Sequence, residues 1–149
     1  MAESTSVKNI KTPWHLWVVG VLALLWNAAG AFDYFMTETR NASYMNSFTA
    51  GQLAYFDSIP KWAIATWALG VWGGVLGSVL LLFRRRLAVA VFAVSLVSAA
   101  LTFLYNYVLS NGLEVMGGGI ALLFAGVILL IAALLLWYAR YMAKSGALR

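Results

Sequence analysis

The triplet Arg84-Arg85-Arg86 stands between two apolar stretches, 61–83 and 87–109, and that arrangement leaves the chain few ways to fold. Three adjacent guanidiniums do not enter hydrocarbon, whereas a helix of about 20 apolar residues crosses about 30 Å of it. The triplet therefore marks a short turn at one membrane surface, between two spanning helices. Two further runs of the same kind, about 14–35 and 120–139, bring the expected number of spans to four. Only 10% of the residues are charged and 63% are hydrophobic. Soluble domains carry about 25% charge, so the main partner of this chain is a lipid bilayer. The expected fold is all-α, a polytopic membrane four-helix bundle spanning 14–139, with a polar tail over 1–13, an outer loop over 37–60 and a second tail over 140–149.

The orientation follows from the basic residues. Lys8, Lys11, Arg84, Arg85, Arg86, Arg140, Lys144 and Arg149 fall on one side by parity, and only Arg40 and Lys61 on the other. The positive-inside rule then places both tails in the cytoplasm. Trp14, Trp17, Trp137 and Tyr138 would belt the inner boundary, and Tyr34, Trp62, Tyr105 and Tyr107 the outer one. A rival reading stays open: Lys8 and Lys11, an apolar core and Ala29-Gly30-Ala31 also resemble a cleaved signal peptide.

The same distribution excludes several functions. The net charge of +5 lies between apolar runs, so it orients the chain and does not bespeak nucleic acid. There is no cysteine, hence no disulfide and no thiolate chemistry. The one histidine, His15, reads as an interfacial aromatic at the inner boundary, far from Asp33, the one acid within a span, and Glu114 reads as a solvated turn residue. That leaves no metal site and no nucleophile–base pair, so neither a cofactor nor an enzyme is expected.

The 37–60 connection exceeds a minimal link. Tyr44, Phe48 and Tyr55 recur at helical spacing, which predicts a short helix lying in the outer interface. Asn41-Ala42-Ser43 matches a glycosylation sequon, and Asp57-Ser58-Ile59-Pro60 reads as the start of the second span.

Helices in lipid associate through small residues and side-chain hydrogen bonds. Gly70, Gly73, Gly74 and Gly77 share one face of the second span at about 100° per residue, the expected helix-packing face. Gly20, Ala23, Asn27, Gly30 and Ala31 trace a stripe on the first, and Ser95, Ser98, Ala99, Thr102 and Asn106 one on the third. The fourth is mostly Leu, Ile and Val and is expected to face lipid broadly. By the rise per residue, Asp33, Thr66, Tyr105 and Asn106 lie at one level, about 5 Å inside the outer boundary, with Asn27 about 9 Å deeper than Asp33. Such polar groups cost free energy in hydrocarbon unless paired. One reading is an outward-facing pocket for a small polar solute floored by Asn27; another is interhelical hydrogen bonding alone, with Asp33 paired to Arg40 or Lys61.

Leu25-Trp26-Asn27-x-x-Gly30-x-x-Asp33-Tyr34, then Ala54-Tyr55-Phe56 through Pro60-x-Trp62, then Trp67-x-x-Gly70-Val71-Trp72-Gly73-Gly74-x-x-Gly77-Ser78 resembles a family of small four-span bacterial inner-membrane proteins. Members are sometimes labelled sugar transporters. The resemblance implies a bacterial inner-membrane location, and the label implies a sugar site in which Trp26 and Trp62 would stack on rings beside Asn27 and Asp33. Two expectations of different class follow: transport or binding of a sugar-like solute at Asn27, Asp33, Thr66, Tyr105 and Asn106, or a non-catalytic accessory subunit of a homo-oligomer or larger membrane complex.

Overall fold

The computed structural model describes residues 10–149; most of the tail expected over 1–13 lies outside the described residues. Four helices are long and apolar enough to cross a membrane: α1 (Trp14–Glu38), α4 (Lys61–Leu82), the third span Leu87–Leu109, whose α-helical part is α5 (Leu87–Leu104), and α7 (Gly119–Lys144). Three short helices join them: α2 (Ala42–Met45), α3 (Ala50–Ser58) and α6 (Gly112–Val115). No strand occurs among the described residues.

Both ends of the first connection are set by local chemistry. α1 runs on to Glu38 because nothing stops it sooner, and it then closes on Arg40 in the left-handed region (φ 52°), with the Asn41 amide donating to Met36 O. The loop folds as two helices, so Tyr44 and Tyr55 do not share one. Thr49 and Gln52 form a reciprocal capping box that starts α3. Asp57 and Ser58, expected to open the second span, instead close α3, and Pro60 immediately precedes α4.

α1 packs on α4, α4 on α5, and α5 on α7, with the α4–α5 contact the most extensive. α4 is thus a central helix, and its glycines serve two neighbours. A Cβ at Gly70, Gly73 or Gly77 would meet Ala99, Ser95 or the Phe92 ring of α5, at 3.5, 3.1 and 2.7 Å. A Cβ at Gly74 would meet the Asn27 carboxamide of α1. At 100° per residue Gly73 and Gly74 point to opposite edges of the glycine face, which explains the division.

The best-packed core lies at the Arg84 end, where Leu16, Leu81, Ala88, Phe92, Ala139 and Met142 form one buried cluster. Ala147 and Leu148 join it. Gly146 (φ 80°) ends α7, the Ala147 amide donates to Met142 O, and Ala147 and Leu148 are buried. The sequence reading put the last residues in water; Arg140, Lys144 and Arg149 are exposed, but the apolar pair between them folds back on the bundle. Toward its other end α7 stands open: Ile120, Leu123 and Phe124 are exposed, and nothing lies within 4 Å of a Cβ placed at Gly119 or Gly126.

Candidate functional site

Asn27, Asp33, Thr66 and Asn106 each find a partner on a neighbouring element, and the partners differ. Asn27 Nδ2 donates to Ala23 O on its own helix (2.8 Å) and to Ser78 Oγ on α4 (3.4 Å). Ser78, fully buried, donates in turn to Gly74 O at 2.7 Å. The α1–α4 contact is therefore joined by a short chain of hydrogen bonds in lipid-excluded surroundings, the setting in which such bonds are not replaced by water.

One turn-pair higher, Asp33 accepts a hydrogen bond from Tyr44 OH, so α2 is fastened to α1. Burial, the hydrogen bond to Asp33 and that carboxylate's charge push the Tyr44 phenol up to about 12, so it stays a donor across the physiological range. Arg40, the expected partner of Asp33, pairs instead with Asp57 at 2.8 Å, tying the end of α1 to the end of α3. Both partners are exposed, and such a pair is worth about 1 kcal/mol or less.

On the α4–α5 contact, Thr102 Oγ1 lies 3.0 Å from both Thr66 Oγ1 and Ser98 O, which share its single proton, and Thr66 donates to Ala63 O. Trp62 stands edge-on to Tyr105, ring centres 5.4 Å apart. Asn106 belongs to a further set. The helix widens to a π turn over Tyr105–Leu109, and beneath it Tyr55 OH donates to Asn106 Oδ1 (2.7 Å) and meets Ser110 Oγ (2.8 Å). Tyr55 is buried, and burial raises its pKa. A Cβ at Gly112 would collide with Asn106 O and with the Tyr55 hydroxyl at 2.6 Å, so glycine is what lets α3 dock there. A run of aromatic contacts, Phe32–Tyr44–Phe48–Phe56–Tyr55, continues across the loop from α1 to this site.

The residues expected to line one outward-facing pocket are thus distributed over four separate sets: Asn27 with Ser78, Asp33 with Tyr44, Thr66 with Thr102, and Asn106 with Tyr55 and Ser110. No hydrogen bond among the described residues joins Asp33 to Asn27, Thr66 or Asn106. Trp26 tilts against Phe124 of α7 at 6.3 Å and is not near Trp62's partner Tyr105 in the ring contacts. Two shallow surface hollows are both apolar and open. One, of about 640 Å³, lies along α7 between Phe103, Gly119, Leu123 and Gly126; the other, of about 310 Å³, lies between Ala31, Phe35 and Trp72. Neither touches a polar candidate.

At the opposite end His15 Nδ1 lies 2.6 Å from Tyr138 OH, a contact between α1 and α7. No group of three or more His, Asp or Glu side chains able to hold a metal occurs among the described residues. Ser78, Tyr44 and Tyr138 are among the partners that the sequence analysis did not foresee, as are Tyr55 and Ser110 for Asn106 and Asp57 for Arg40. Ser78 had a signal, because Gly74-x-x-x-Ser78 places a hydroxyl one turn along the same face; Tyr44 and Tyr138 depend on how distant segments return.

Comparisons with family models, with curated proteins and with solved structures found no match to this chain.

Proposed function

We propose that this is a non-catalytic, multi-pass subunit of the bacterial inner membrane, which assembles with other membrane helices through the open half of α7. Both tails are cytoplasmic in this reading, supported by the eight-to-two division of Lys and Arg, and α3 lies in the outer interface. The observation that carries the assembly role is the way the polar residues are spent. Asn27, Asp33, Thr66 and Asn106 each bond a neighbouring element and so act as internal glue, while the hollows along α7 and beside Trp72 are apolar. Without a hydrophobic drive between helices in lipid, association needs surfaces where backbones can approach, and Gly119 and Gly126 provide one beside Phe103.

Binding of a sugar-like solute is a second reading, favoured by one observation: the π turn at Tyr105–Leu109, a distortion frequent at functional sites, lies beside Asn106 and Tyr55. Purification in mild detergent separates the two. A defined assembly that Gly126→Leu dissociates without lowering thermal stability supports the subunit role. A stable monomer whose melting temperature rises with added sugars supports the solute site.

A further inference from the structure

We infer that the turn at Arg84–Arg86 and residues 147–149 together form a binding site for the phosphate headgroup of an anionic phospholipid. The two segments are locked into one platform by four hydrogen bonds. The Arg149 amide donates to Arg84 O (2.6 Å) and the Arg86 amide to Arg149 O (2.8 Å). Arg84 Nε donates to Ala147 O (2.9 Å) and Arg86 Nε to Leu148 O (3.2 Å). Each guanidinium is thereby held by its inner nitrogen, and its two terminal nitrogens remain for another acceptor. This is the forked geometry that matches a phosphate, with part of its rotamer freedom already removed.

Charge points to the same ligand. Among the described residues the one ion pair is Arg40–Asp57, at the far end of the bundle, and no Asp or Glu side chain of these residues pairs with the platform. Asp33, Glu38, Asp57 and Glu114 all belong to that far end, whereas exposed Arg140 and Lys144 finish α7 beside the platform. Ile10 packs where a Cβ at Gly146 would be, 2.5 Å away, which brings the neighbouring Lys11 to the same end. The site's depth favours a lipid over a free anion. It sits where two spanning helices end, with exposed Trp14, Phe83 and Leu87 near it to meet acyl chains. Clusters of basic residues at such a boundary recognise anionic headgroups.

The inference depends on the four helices spanning a bilayer and is independent of how the protein assembles. The full chain in mild detergent is titrated with short-chain phosphatidylglycerol, short-chain phosphatidylcholine and inorganic phosphate, with retained lipid counted by native mass spectrometry. Phosphatidylglycerol is expected to be retained well above phosphatidylcholine. Each basic residue near a headgroup is worth about fivefold, so Arg84→Gln with Arg86→Gln should weaken retention about 25-fold. Arg149→Gln, at an exposed side chain, should weaken it about fivefold even if the double variant does not fold. Arg40→Gln removes the same charge at the other end and should change nothing. Equal retention of the two lipids, unchanged retention in Arg149→Gln, or stabilisation by inorganic phosphate equal to that by phosphatidylglycerol would each overturn the inference.

Discussion

The Asn27 carboxamide of α1 lies against the bare backbone of Gly74 on α4, in the space that any larger side chain at 74 would fill. The same carboxamide donates to Ser78, which donates back to Gly74 O, so one amide, one hydroxyl and one glycine lock the two helices in register.

Gly74→Leu should therefore destabilise the fold by about 1 to 3 kcal/mol, the usual range for overpacking, because Asn27 must swing away from Ala23 and Ser78 or the helices must part. Gly126→Leu, with open space around it, should stay within about 0.5 kcal/mol. Reversible unfolding in detergent measures both. A double-mutant cycle of Gly74→Leu with Asn27→Ala should show favourable coupling. Equal stability of Gly74→Leu and the parent would refute the contact.

Tyr55→Phe removes the hydroxyl that joins α3 to Asn106 and Ser110 and leaves the Asn106 carbonyl without its partner. The expected cost is about 1 to 3 kcal/mol, felt locally. Limited proteolysis of the 37–60 connection should quicken in reconstituted vesicles. Arg40→Ala, which removes only the exposed pair with Asp57, should quicken it much less.

The Tyr44 phenol titrates at about 12 against an ordinary 10.0. A folded-state value raised above the unfolded one means that the stability gained by burying this phenol against Asp33 is fully present below about pH 10 and is lost as pH rises through about 12. An ultraviolet titration of the parent minus that of Tyr44→Phe isolates this group. In Asp33→Asn the value should fall part of the way toward 10.0, since burial, the larger cause, remains.

The spans were legible in the sequence because length and charge decide them: a single apolar segment of about 20 residues satisfies its own backbone across hydrocarbon only as a helix, and Arg84–Arg86 has only one place to go. The interior of the 37–60 connection was less so. Thr49-x-x-Gln52 is a helix start written in the sequence, yet the aromatic spacing of Tyr44, Phe48 and Tyr55 suggested one helix where two form. Which partner Asp33 takes could not be read along the chain, where Arg40 and Lys61 stand as the charged candidates, because only the return of the loop brings Tyr44 to it. The docking of Ala147 and Leu148 left a fainter trace: an apolar pair just after a helix-ending glycine, where a hydrophobic contact commonly follows.

A reporter fused after Arg149 should be active only in the form that reads the cytoplasm. Activity of the form that reads the periplasm would reverse the topology inferred from the Lys and Arg distribution.

The assembly role is tested most directly by photo-crosslinking in native membranes. One photoreactive residue is placed at Leu123, 70% exposed beside the α7 hollow, and another at Val97, 60% exposed on α5. The two sites are nearly equally open, so exposure to lipid alone would treat them alike. The account predicts a discrete protein adduct from Leu123, lost in Gly126→Leu, and none from Val97. Lipid adducts alone from both positions, or the same protein adduct from both, would contradict it.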